Sequence, residues 1–204
     1  MMIAMSQYDT GRPAADLLPK IGTKWCTYEK KALEIRKMAG VGIGVRFEPE
    51  LLARLLNYQI LKLTAIEGLP ESARAIIASN DQWSGAAIPT NPDLDGPAGL
   101  IIINDLQSPR RQRATLMEEI CHLLLGHQPS QIDQNGRTYD HRIEEEAYAI
   151  GAATLLPFKP LREMVQAERS IRAIADHFEV STQLVNYRLK VLSINQPRSN
   201  RRHE

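Results

Sequence analysis

Leu116-Met117-Glu118-Glu119-Ile120-Cys121-His122-Leu123-Leu124-Leu125-Gly126 sets two carboxylates and an imidazole inside an apolar run. Upstream, Ser108-Pro109 is a helix start, with serine at the N-cap and proline at the first helical position, where its missing N–H is not needed. Gly126 is a helix stop. The helix predicted over residues 108–125 is apolar on nearly all sides in its last turns, which marks a buried helix. Glu118 and His122 are four apart, so they project from one face, one turn from each other. Ionised carboxylates in apolar surroundings are costly unless paired, protonated or bound to a metal. Two arrangements satisfy that constraint. The carboxylates can pair with buried arginine beside a hydrogen-bonded core histidine, or the group can hold a metal. Cys121 points about 100° away from His122 and belongs to the core.

Downstream, residues 128–139 form a polar loop, and Asp140 or His141 opens a helix over residues 142–155. Glu144, Glu145 and Glu146 lie in its first turns. Acidic residues there favour the positive end of the helix dipole, which is explanation enough for Glu144 and Glu145. Ala147, Ala149, Gly151, Ala152 and Ala153 let another helix or sheet approach closely. Pro157 and Pro160 break the pattern, and residues 161–192 are helical again with a turn near 179–181. That last segment looks like a helix-turn-helix, with Ser181 capping the second helix. A DNA reader would use Gln183, Asn186, Arg188 and Lys190 on that helix. The competing expectation is that the pair docks on the main domain through Ile174, Phe178 and Leu189.

Upstream of the central helix, residues 25–38 carry Trp25, Ala32 and Ile35 at helical spacing. Pro49 opens a second helix. Residues 58–66, 83–88 and 100–104 read as strands, with a turn-rich loop over 89–99 and a short helix over 72–77. Residues 1–20 are expected to be a loose arm, and residues 196–204 a disordered basic tail. Arg110, Arg111 and Arg113 crowd a helix start; they can pair with acidic residues or a partner, and a solvated basic turn is the favoured expectation. His127 can cap the helix end or support the site, and His141 is a candidate replacement ligand.

The sequence of 204 residues has 43% hydrophobic and 24% charged residues and a formal net charge of +1. That suffices for a packed core and gives no charge bias toward nucleic acid or an anionic membrane. The two cysteines form no Cys-x-x-Cys pair, and the sequence has neither a signal-peptide pattern nor a long apolar span, so a cytoplasmic setting is expected.

Several ordered stretches resemble the ImmA/IrrE metallopeptidases: Trp83-Ser84-Gly85, Ile101-Ile102-Ile103-Asn104, Arg110 through Leu116, Leu123-Leu124-Leu125-Gly126-His127, and Glu146-Ala147 through Leu155-Leu156-Pro157. In such enzymes a His-Glu-x-x-His helix supplies two zinc ligands and a general base, and a later helix supplies the third ligand. Here Glu118 stands at the first histidine position. The resemblance implies Glu118, His122 and Glu146 as metal ligands and Glu119 as general base. It implies an α+β, zincin-like domain over residues 21–158, with a small curved sheet packed on the motif helix and the third-ligand helix, and a C-terminal helical pair over 159–195. It also implies action on a regulatory protein such as a helix-turn-helix repressor. Two carboxylates tilt a zinc site toward manganese or iron(II). The alternatives are a metal-free protein-binding relative and a DNA-binding regulator.

Overall fold

A computed structural model describes residues 17–68, 70, 72, 83–90, 96–127, 132–133, 136–137 and 140–195. Helix α1 (Thr23–Met38) and helix α2 (Pro49–Leu55) lead into strand β1 (Tyr58–Lys62). Strands β2 (Gly85–Pro89) and β3 (Gly99–Ile103) precede the central helix α3 (Pro109–Leu124). A two-residue pairing of β4 (Ile132–Asp133) with β5 (Gly136–Arg137) follows. Helices α4 (His141–Leu155), α5 (Phe158–Gln166), α6 (Ile171–Phe178) and α7 (Thr182–Val191) complete the described chain. The expected arm lies outside the described residues up to residue 16, as do the tail and all of the 72–77 helix but Ser72.

The sheet order is β1-β3-β2, with β3 parallel to β1 and antiparallel to β2. Gly99, Ile101 and Ile103 alternate on the buried face of β3, as a strand with one covered face requires. A Cβ at Gly99 would lie 2.7 Å from Leu123 Cδ1, so that face is the one against α3. The strand expected over 58–66 ends at Lys62, where a 3₁₀ turn (Leu63–Ala65) takes over. Thr64 there donates to Asp105 from both its backbone N–H and its hydroxyl, which turns the chain out of the sheet.

Helix α3 starts at Pro109 and stops before Gly126, whose φ of 67° closes the helix. Ser108 sits at the cap position but makes no capping bond, whereas Asp140 caps α4 by accepting from the Arg142 N–H at 2.9 Å. Each arginine at the start of α3 has a partner, and Arg113 is buried while Arg111 stays exposed. Arg110 pairs with Asp176 at 2.6 Å, Arg113 pairs with Glu48 at 2.7 Å, and Arg111 reaches Ser84 Oγ at 3.1 Å. Leu116, Met117, Ile120 and Cys121 are buried on α3 against α4 and the sheet.

The C-terminal stretch is more broken than its periodicity predicts. Pro160 lies inside the first turn of α5, where the backbone N–H groups have no intrahelical acceptor, so it does not break the helix. A further interruption separates α5 from α6. Ile174, Phe178 and Leu189 join one continuous core with Met117, Ile120 and Ile150. Arg188 is spent inside the protein: its guanidinium meets Glu29 of α1 at 2.6 Å with both side chains 1% exposed. Arg188 Nε also donates to the Leu156 carbonyl at 3.0 Å, and Glu29 accepts from the Phe158 N–H. This pair clamps α7, α1 and the α4–α5 junction, so Arg188 is not a DNA-facing group. No helix among the described residues is long and apolar enough to cross a membrane.

Removing one partner of such a pair leaves an uncompensated buried charge. Arg188→Met is expected to lower unfolding free energy by about 3–5 kcal/mol in a denaturant titration. Lys190→Met, exposed on the same helix, should change it by less than about 0.5 kcal/mol. Equal effects at the two positions would mean that the clamp carries no stability.

Candidate metal centre

Helices α3 and α4 meet at a glycine. A Cβ on Gly151 would lie 3.3 Å from the Glu118 backbone nitrogen and 3.4 Å from the Met117 carbonyl group. The approach fixes the rotation of α4. Residues 144, 147, 148 and 151 share one stripe at helical spacing, so the face that brings Gly151 onto α3 also brings Glu144 there. Glu144 Oε2 lies 3.5 Å from His122 Nε2. Donor atoms of Glu118, His122 and Glu144 all fall within 4.8 Å of one another.

Glu146, expected from the resemblance as the third ligand, is turned about 200° around α4 from Glu144. Its carboxylate receives Lys31 Nζ at 2.6 Å and sits 3.6 Å from His127 Nε2. The Lys31 hydrogen bond is the largest influence on it and holds its carboxyl below the usual range, against the opposing effect of burial. The geometry thus groups Glu144, not Glu146, with Glu118 and His122. Dipole preference alone does not exhaust the role of Glu144. Sequence reasoning passed over Glu144; its place seven residues before Gly151 becomes informative only once the close approach at that glycine is known.

Glu119 lies beside the group at the start of β2: a Cβ on Gly85 would stand 3.2 Å from Glu119 Oε1 and 2.7 Å from Thr115 Cγ2. Only glycine leaves the carboxylate this room. His127 faces His122, with Nδ1 to Nδ1 at 3.2 Å. His141 is exposed at the head of α4. A cleft of about 480 Å³ reaches Glu118, bordered by Ser84, Arg111, Thr115, Tyr148 and Gln183. Tyr148 was not singled out from the sequence. Burial raises its phenol pKa, and the charge of Glu118 adds to the shift.

Burial pushes the Glu118 carboxyl up to about 8, helped by the neighbouring Glu119 and Glu144 carboxylates. At neutral pH without a cation this carboxyl therefore keeps its proton. The donor set fits a divalent ion. Two carboxylates and an imidazole converge, and a cation among them would turn their mutual repulsion into attraction.

The raised pKa has a direct consequence for stability. The folded state holds a proton that the unfolded chain releases above the ordinary carboxylate value of 4.5. The contribution of Glu118 is therefore fully present below that value and lost as pH rises toward about 8. With chelator present, Glu118→Gln should gain stability relative to wild type across this window, on the order of 2–4 kcal/mol by its upper end. Denaturation midpoints at a series of pH values measure it, and a difference independent of pH would contradict the burial described.

A family model described as the IrrE N-terminal-like domain, of the peptidase class, matches residues 74–190. No curated protein matches. Among solved structures, a Mycobacterium tuberculosis transcriptional regulator aligns with a TM-score of 0.47 at 14% identity, over 87% of this chain and 49% of that one. The chain thus spans about half the length of that protein. The family match covers more than half of the sequence, including β2, β3 and the two helices that bring Glu118, His122 and Glu144 together. The chain accordingly belongs to the metallopeptidase-like family of the IrrE N-terminal-like domain and has its zincin-like α+β fold.

Proposed function

We propose that the chain is a metal-dependent endopeptidase acting on a regulatory protein such as a helix-turn-helix repressor, with Glu118, His122 and Glu144 holding the metal and Glu119 as general base. The observation that carries this is the convergence of three donors from two helices, with a further carboxylate beside them. A divalent ion held there would polarise a peptide carbonyl and acidify water. Zinc is one candidate. The paired carboxylates make manganese or iron(II) the harder alternatives.

The chain's own residues supply the rest. Glu119 takes the proton of the attacking water and returns it to the leaving amide nitrogen. Tyr148 keeps its hydroxyl proton and offers it as a donor from the wall of the cleft. Strand β2 is an edge of the described sheet, so an extended peptide can add to it and pass Glu119 at Gly85.

Metal analysis of protein purified without chelator tests the site. Wild type should carry a divalent metal, Glu144→Ala should lose it, and Glu118→His should bind zinc more tightly because it restores two histidines and one carboxylate. Empty wild type beside a loaded Glu118→His would mean a peptidase framework whose site this one residue disabled. If both are empty, the chain is instead a metal-free protein-binding relative.

Cleavage is tested separately. Glu119→Gln should retain metal while cleavage of a co-purified repressor falls about 10²–10⁴-fold. Unchanged cleavage would remove Glu119 from its role.

A further inference from the structure

The cleft that reaches Glu118 extends away from the donor group along α3. Ser108, Arg111, Thr115 and Glu118 border it from one side and recur at spacings of three and four, so they form one stripe. The stripe is about 15 Å long at a rise of 1.5 Å per residue. An extended chain rises about 3.3 Å per residue, so about four to five residues of peptide match its length. Ser84 borders the same cleft and directly precedes β2. A peptide added to the edge of β2 and carried past Gly85 therefore enters the cleft.

The opposite side is built by the first turn of α7, through Ser181, Gln183 and Leu184. That turn is held in place. Glu179 closes α6 in the left-handed region, at φ 51°. Ser181 Oγ accepts from the Leu184 N–H at 3.1 Å, which caps α7. Leu184 is buried, and Arg188 further along is clamped on Glu29. Gln183 shares a stripe with Tyr187, one turn on. The Tyr187 ring packs edge-on against Tyr148 of α4, with centroids 4.8 Å apart, and Tyr148 also borders the cleft. Gln183 thus stands one turn beyond that contact, exposed, with α3 across the cleft from it.

A primary amide donates and accepts at once, which matches the alternating N–H and C=O groups of an extended main chain. A DNA duplex suits this position poorly. Recognition helices present the residues of their first turn to base edges in the major groove. Here those residues border a cleft whose other wall is α3, and α3 stands where the duplex would have to lie.

We infer that the first turn of α7 is a substrate wall, on which Gln183 binds the main chain of an extended peptide to one side of the scissile bond. The nature of the occupant rests on the peptidase reading above. Gln183, which local spacing also suits to reading DNA, is thereby assigned to peptide.

The test uses the full chain carrying Glu119→Gln, which binds without cutting. Panning a displayed library of random short peptides should enrich binders. One enriched peptide, labelled with fluorescein, then serves as the probe in fluorescence anisotropy. Adding Gln183→Ala should weaken its binding about 3–10-fold, the loss of one or two neutral hydrogen bonds. Gln183→Trp, which crowds the cleft from an exposed position, should weaken it further. Lys190→Ala, two turns along the same helix, should leave it unchanged. Equal affinity in all variants, or no enriched peptide, would overturn the inference. So would a pool of random DNA duplexes that the chain retains and Gln183→Ala releases. The peptidase reading stands or falls separately: enriched peptides that bind through Gln183 but stay uncut by metal-loaded wild type would defeat cleavage and leave the wall in place.

Discussion

The centre depends on how closely two backbones approach. At Gly151 a methyl group would press on the Glu118 nitrogen and the Met117 carbonyl. Because α3 and α4 run in opposite directions, residues preceding Gly151 lie alongside residues following Glu118. Two turns back on α4 is Glu144, and one turn forward on α3 is His122. A wider spacing would leave both donors present in the sequence but apart in space. Ala147, on the same stripe as Gly151, is fully buried as well.

That closeness has an electrostatic cost. Burial above all, and then the charges of Glu119 and Glu144, raises the Glu118 carboxyl, which keeps its proton. Acidic residues elsewhere are compensated directly: Glu48 by Arg113 and Arg46, Glu146 by Lys31, Glu29 by Arg188. The contrast separates the two uses of charge in this fold. Paired carboxylates hold elements together, and the carboxylates gathered at the α3–α4 crossing are the ones the proposed function assigns to a cation.

Much of this was legible in the sequence. Local signals marked the elements: Pro109 and Gly126 bound α3, Asp140 caps α4, and β3 stands out as an apolar run. Glu118 and His122 share a face because helical geometry alone requires it. The third donor was not legible from motif position, because three consecutive glutamates differ only in rotation about α4. That rotation is a tertiary property. The break after Lys62 was missed for a related reason, since the Thr64–Asp105 bonds come from a distant residue, whereas the break after Gln166 is a local helix stop closed by Glu168 at φ 55° and the Arg169 N–H bond to the Met164 carbonyl. α6 and α7 are two short helices joined over residues 179–181, and Arg188 faces inward because its partner Glu29 lies on α1.

The Glu29–Arg188 contact also separates two notions of a unit. Residues 74–190 are what the family shares, but Arg188 inside that stretch is neutralised by a carboxylate outside it. Lys31, which fixes Glu146, is outside as well. Helix α1 therefore serves as an integral wall of the matched body, supplied by a part of the chain that the family match does not reach. An excised 74–190 segment would keep every donor of the centre while exposing the inner surface those donors are built on.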